Sequence, residues 1–250
     1  MALALATRAS RAGVEFDDPE GLAWVGGTRF VMTEERKRNV VSFDYMAGTT
    51  LERANVSTVT LGTAVGNTGL EGITYDAPSN SFILVNQAAG SGASQNIFQT
   101  AISFAGAGGS ATNGSASTVN ASALFPSSNI GYADLNDVYA LSNVASFAGA
   151  ASNNLLVLTN AGGVREVTRS GVVLGQLTLP SGTAQIEGIT MDDRGYLYLV
   201  SDNGDFGNSQ LASSLFVFAP IPEPSTYALL LAGLCAVGAV ARRRGAARRR

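Results

Sequence analysis

The chain has 250 residues, 46% of them hydrophobic, with no histidine and a single cysteine, Cys235. This length can bury one large core as a single all-β domain, and the missing histidine removes serine–histidine and cysteine–histidine catalysis and every histidine-ligated metal site. The net charge of −3 hides an acidic body: of sixteen basic residues, six are Arg242, Arg243, Arg244, Arg248, Arg249 and Arg250, leaving ten against nineteen acidic ones. A body without a basic footprint argues against nucleic acid as a partner and favours small cations.

Residues 1–12, MALALATRASRA, are small and weakly basic. They read either as the end of a secretory signal whose true start lies further upstream, or as a disordered terminus. From residue 13 to 45 the segments GVEF, EGLAW, TRFVMTE and NVVSFDY predict four short strands separated by Gly-rich or charged turns. The charge run Glu34–Arg38, EERKR, reads as a solvated strand end. STVTLGTAV then leads into a second strand pair, LEGITYDAPSNSFILVNQ, from Leu70 to Gln87.

Residues 88–124 are rich in Gly, Ala, Ser, Thr and Asn, and predict one outer strand pair around NIFQTAISF followed by a flexible surface excursion. A third unit starts at ADLNDVYALSN and continues through NNLLVLTN, GVREVTRSG and VVLGQLTLP. The fourth runs from QIEGITMDDRGYLYLVSD, at Gln185 to Asp202, into SSLFVFAP. It shows three strands, so a ring would need GVEF or a further blade to complete it.

These units repeat. Three have an acidic residue and a glycine, places taken by Asn136 and Asp137 in the third unit, and each has an apolar strand, a turn, a second apolar strand and a terminal polar residue. The steps from Glu20 to Glu71, Glu71 to Asn136 and Asn136 to Glu187 are 51, 65 and 51 residues, on the scale of propeller blades of about 40 to 50 residues and four strands. The predicted fold is therefore an all-β propeller over residues 13–220, with four blades visible and five or six in a fuller chain.

If each innermost strand begins at the acidic–glycine pair, Glu20, Glu71, Asn136 or Asp137, and Glu187 approach the central channel at one end. Convergent oxygen ligands suit a hard cation, calcium above all. The alternative is that each carboxylate closes a strand entry by accepting backbone N–H bonds while the glycine allows close approach. A second polar set, Glu34, Gln87, Asn160 and Asp202, falls at the end of the second strand of each unit. Asp202-Asn203-Gly204-Asp205 lacks the ligand spacing of a calcium loop and reads as a turn, as does Asp192-Asp193-Arg194-Gly195.

Residues 221–250 read IPEPSTYALLLAGLCAVGAVARRRGAARRR. Proline at 222 and 224 stops the strand, residues 227–241 carry no charge, and arginines follow. A helix over 227–241 spans about 22 Å, and flanking residues and snorkelling arginines extend it toward the roughly 30 Å bilayer core. It predicts a single transmembrane helix with the arginines on the cytoplasmic side.

The combination of Pro222-Glu223-Pro224, the apolar helix and the cluster containing Arg242, Arg243 and Arg244 resembles the PEP-CTERM sorting signal. The resemblance implies recognition by an exosortase, cleavage near the prolines, and passage from an inner-membrane precursor to the cell surface or extracellular matrix. Exopolysaccharide and matrix components become candidate partners. The alternative is a plain carboxyl-terminal membrane anchor.

The repeats EGLAW, GLEGITYD, DLNDVYAL and IEGITMDDRGYLYLVSD resemble the SdiA-regulated domain family of propellers, near the esterase-like phytases. That likeness implies architecture more than activity. Two functions stay open: a non-catalytic binding or matrix module holding a cation, glycan or partner, and a calcium-dependent hydrolase of phosphoesters or lactones with Glu71 or Glu187 as general base.

Overall fold

The computed structural model describes residues 16–48, 50–62, 68–87, 97–104, 110–112, 122–132, 134–147, 149–159, 163–179, 185–202 and 213–220, together with Cys235 and Val237. The chain divides into two units, Met1–Val217 and Phe218–Arg250. In the second, Cys235 and Val237 are helical. The rest of the predicted 227–241 helix, Pro222 to Pro224, the arginines and residues 1–12 lie outside the described residues. Among the described residues no helix is long and apolar enough to cross a membrane.

In chain order the strands are β1 (Pro19–Gly26), β2 (Arg29–Glu34), β3 (Asn39–Asp44), β4 (Ser57–Thr60), β5 (Leu70–Asp76), β6 (Ser81–Asn86), β7 (Ile97–Thr100), β8 (Ser110–Thr112), β9 (Ser122–Phe125), β10 (Leu135–Ala140), β11 (Leu155–Thr159), β12 (Gly163–Val167), β13 (Val173–Thr178), β14 (Ile186–Met191), β15 (Leu197–Ser201) and β16 (Leu215–Phe218). They form four sheets, β1-β2-β3-β4-β8, β5-β6-β7-β9, β10-β11-β12-β13 and β14-β15-β16. These are the four blades of a propeller, and each begins with the strand that carries the acidic–glycine motif or, in blade three, Asn136-Asp137 in its place. Successive innermost strands touch, β1 with β5, β5 with β10 and β10 with β14.

The cores lie between blades because the strands are apolar on both faces. Ala23, Val31, Val40 and Val59 of blade one pack against Ile73, Phe82, Leu84 and Phe98 of blade two. On the other side of blade two, Ile83, Val85 and Ile97 pack against Val138, Leu155 and Val157 of blade three. Burying each such side chain stabilises the fold by roughly 1.5–3 kcal/mol.

Two expectations need correction. Residues 13–15 of GVEF lie outside the described residues; Phe16 sits in a bend and packs on blade one with Met32, Val41, Phe43 and Val56, under the Arg53 guanidinium. STVT pairs antiparallel with β3 in blade one. The small-residue stretch after Thr100 is also used for pairing. Its β8 adds parallel to β4 of blade one and its β9 completes blade two beside β7, because backbone ladders need no large side chains.

The run Glu34–Arg38 is not a solvated end. Glu34 is buried, accepting from Asp17 N–H, Asn39 Nδ2 and Arg53. Arg38 is buried too, donating to the Leu61 carbonyl and to Asn86 of blade two. Arg36 and Lys37 alone stay on the surface, beside Asp18 and Asp17.

At the end of β5 away from Glu71, a polar clasp joins blades two and three. Arg169 grips both oxygens of Asp76 at 2.8 and 3.2 Å, and Ser142 and Ser79 donate to the same carboxylate. Burial alone would push the Asp76 carboxyl up, but these donors outweigh it and hold the group below its ordinary value.

Candidate functional site

The acidic–glycine motif positions its two residues for different tasks. The glycine permits close packing: a Cβ at Gly21 would lie 2.4 Å from the Glu71 carbonyl oxygen, and one at Gly72 would lie 2.4 Å from the Asp137 Cα. Thr33 reinforces the first junction, accepting from Gly21 N–H at 2.7 Å and donating to the Glu71 carbonyl at 2.8 Å. With the strands held this close, the residue before the glycine is delivered to the mouth of the channel.

That mouth is a cavity of about 530 Å³. Its wall contains Asp18, Glu20 and Glu35 from blade one, Glu71 and Gln87 from blade two, and Gln185, Glu187 and Asp202 from blade four. Six carboxylates face it and, among the described residues, no lysine or arginine lines it. Carboxylate oxygens of Asp18, Glu20 and Glu35 lie within 4.8 Å of one another.

The second polar ring is also formed, with one shift. Glu35, Gln87 and Asp202 make the same backbone bond, each N–H donating to the residue two before the motif's acid: Asp18, Gly69 and Gln185. The first-repeat member is therefore Glu35, not Glu34. Sequence reasoning missed Glu35 and Asp18; aligning the strand pairs from Leu22, Ile73 and Ile189 outward reveals both. Asn160 lies outside the described residues.

Crowding sets the protonation of the mouth. Glu20, exposed at the rim as a whole, is raised to about 8 by desolvation where it turns into the mouth, with Asp18, Glu187, Glu35 and Asp202 adding repulsion. Burial likewise raises Glu71 to about 9, helped by Glu20, Glu35 and Glu187. Glu35 is also raised, chiefly by burial, though the Gly69 N–H and a hydrogen bond with Glu71 oppose the shift. Glu71 thus carries the proton and donates to Glu35 at neutral pH, because neighbouring carboxylates cannot all ionise in one poorly hydrated site.

Blade three departs from this pattern. Asn136 donates to the Ile186 carbonyl at 2.7 Å and to Glu187 Oε2 at 3.0 Å, while its buried Oδ1 has no hydrogen-bond partner among the described residues. Asp137 occupies the glycine slot. Its Oδ1 accepts from Val138 N–H at 2.8 Å and its Oδ2 from Ile189 N–H of blade four at 2.9 Å. Burial raises its pKa to about 7, opposed by backbone N–H groups including that of Ile73 on blade two. Of the five residues expected at the channel, Glu20, Glu71 and Glu187 line it, Asn136 braces Glu187 from behind, and the Asp137 oxygens are committed to strand entries.

Comparison with known proteins agrees with this architecture. Residues 7–206 match the SdiA-regulated family. The chain belongs to that family. Residues 220–244 of this SdiA-regulated propeller match the PEP-CTERM protein-sorting motif, which marks it for export and exosortase sorting as a membrane-anchored precursor. No curated protein matches the chain.

Among solved structures it is similar to the PQQ-bound aldose sugar dehydrogenase of Streptomyces coelicolor, with 15% identity over 82% of this chain and 61% of that one, and a TM-score of 0.47. It is also similar to a luciferin-regenerating enzyme, with 12% identity over 82% and 78% and a TM-score of 0.43, and to a streptogramin B lyase, with 12% identity over 85% and 72% and a TM-score of 0.39. The SdiA-regulated chain spans 61% of the length of the dehydrogenase.

Proposed function

We propose that this protein is a propeller displayed at the cell surface or in the extracellular matrix as a binding or structural module, and that its acidic mouth holds a hard divalent cation, calcium foremost. The observation that carries this reading is the convergence of Asp18, Glu20, Glu35, Glu71, Glu187 and Asp202 on one cavity without a lining cation among the described residues. The donor set fits: it is all oxygen, it comes from three blades, and calcium accepts six to eight oxygens in irregular geometry. Bound calcium would neutralise the mouth and offer open coordination positions to an anionic or hydroxyl-rich ligand such as a matrix glycan. Glu71 holds its proton in the cation-free protein and releases it on binding.

The tail supports the display half of the proposal. The exosortase cuts near Pro222 to Pro224, and the apolar segment with its arginines serves as a temporary handle. Mass spectrometry of the protein from its native host tests this: a mature chain ending near residue 222 is expected, and an intact chain ending at Arg250 in the cytosol contradicts it. For the cation, heat unfolding in calcium and then in chelator is expected to show a clear loss of Tm on chelation, and coincident curves contradict it.

One observation favours the hydrolase as a second reading. The hydrogen-bonded Glu35–Glu71 pair lies in a cavity large enough for a small phosphoester or lactone. Because Glu71 keeps its proton when the mouth is empty of cations, it acts as a base only in the calcium-loaded protein, and Glu187 is the other candidate base. Turnover of such substrates in calcium, abolished by Glu71→Gln or Glu187→Gln, is the result that selects this reading.

A further inference from the structure

The wall of the acidic mouth is built largely of hydrogen-bond acceptors. Six carboxylates face the cavity, and among the described residues the other polar side chains on it are Gln87, Gln185 and Ser201. An ionised carboxylate accepts and cannot donate. One divalent cation balances two of them, and Arg36, which does not line the cavity, pairs with Asp18 at 2.7 Å. Acceptors and negative charge therefore remain in excess after a cation has bound.

Blade three makes the same demand for a donor at a buried place. Asn136 is 3% exposed and holds the position that carries Glu20, Glu71 and Glu187 on the other blades, all three of which line the mouth. Its Nδ2 is committed to the Ile186 carbonyl and to Glu187 Oε2, which fixes the orientation of the amide. Oδ1 then meets no donor among the described residues. A buried acceptor in this state is costly, and a water or hydroxyl brought to the Glu187 side of the mouth supplies what it lacks.

This excess of acceptors selects the ligand. An anionic group reaching the cation brings further acceptors and further negative charge into a wall that has no lysine or arginine among the described residues. A pair of neighbouring hydroxyls brings what is missing: lone pairs for the open positions of the cation, and O–H donors for the carboxylates around it. Pro19 and Val200, the apolar residues of the wall, suit the C–H face of a sugar ring.

We propose that the ligand of this mouth is a neutral, hydroxyl-rich sugar chain, held by two neighbouring hydroxyls that coordinate the cation and donate their protons to the surrounding carboxylates. The proposal rests on the reading of the mouth as a cation site and narrows its ligand to the uncharged class. Gln87 and Gln185, which both donate and accept, serve the hydroxyls further along the chain.

The test is calorimetry on the full chain in detergent, with calcium in large excess. The probes are neutral oligomers of glucose, mannose and galactose, each beside its counterpart oxidised to the uronate at C6. At least one neutral oligomer is expected to bind, at least tenfold more tightly than its uronate and not at all in chelator. A uronate that binds as tightly as its neutral counterpart, or tighter, overturns the proposal. Calcium binding without binding of any neutral oligomer also overturns it and leaves the cation site standing, whereas absence of calcium binding overturns both. Gln185→Lys adds a cationic donor to the wall and is expected to narrow the preference for the neutral oligomer at least tenfold, with unchanged circular dichroism. An unchanged preference in that variant contradicts the charge argument.

Discussion

Asp137 Oδ2 on the third blade accepts the backbone N–H of Ile189 on the fourth at 2.9 Å. At this one junction a carboxylate does the work that a close backbone approach does at Gly21 and Gly72, so the strand entries of neighbouring blades are held by an acceptor rather than by contact alone. Asp137→Asn keeps the shape but leaves at least one of the N–H groups of Val138, Ile189 and Ile73 without an acceptor. The expected loss is about 1–3 kcal/mol in a denaturant midpoint experiment. A variant as stable as the parent would show that these bonds contribute nothing net.

Gly72→Ala places a Cβ 2.4 Å from the Asp137 Cα and Oδ1. Backbone cannot move aside as a flexible side chain can, so blades two and three must separate. A destabilisation of roughly 1–3 kcal/mol is expected from such overpacking, read by thermal unfolding. Gly26→Ala meets no atom within 4 Å at the Cβ, although its positive φ makes it a strained control rather than a neutral one.

Asp76→Ala strands the Arg169 guanidinium, which is mostly buried and donates to both Asp76 oxygens. Breaking a buried pair from one side costs about 3–5 kcal/mol. The double change Asp76→Ala with Arg169→Met is expected to recover part of that loss, and a double variant no better than the single would contradict the pairing argument.

The acidic mouth gives stability an unusual pH dependence. Glu20, Glu35 and Glu71 have pKa values raised above the ordinary 4.5, and Asp137 above 3.8, so the folded chain binds more protons than the unfolded chain through this range. Stability contributed by these protons is complete below the ordinary values and is lost as pH rises through the folded values, about 7 for Asp137 and 8 to 9 for Glu20 and Glu71. In chelator, Tm is expected to fall steadily from pH 5 to pH 9. Glu71→Gln flattens that slope.

Much of the architecture was legible because the acidic–glycine strand pair recurs with little change, and a strand buried on both faces announces itself by an unbroken apolar run such as FILV at 82–85. Outer strands were less legible. The pairing of β4, β8 and β9 depends on which ladder has a free edge, and sequence composition says little about that. At the site, Glu20, Glu71 and Glu187 followed from the repeat, whereas Glu35 was hidden by its neighbour. Glu34 and Glu35 are adjacent and identical, and only strand register separates the one that pairs with Arg53 from the one that faces the channel. Asp137 stayed open between ligand and strand-entry acceptor because a carboxylate in a glycine slot offers the same oxygens to amides as to a metal.

Calcium titration by isothermal calorimetry, with the parent chain and a Glu20→Gln, Glu35→Gln variant compared at pH 7, addresses the acidic mouth most directly. The parent is expected to bind calcium saturably with release of protons into the buffer, and the variant to lose at least tenfold in affinity while its circular dichroism stays the same. Absence of a binding isotherm in the parent, or equal affinity in the variant, would contradict the assignment of this mouth as a cation site.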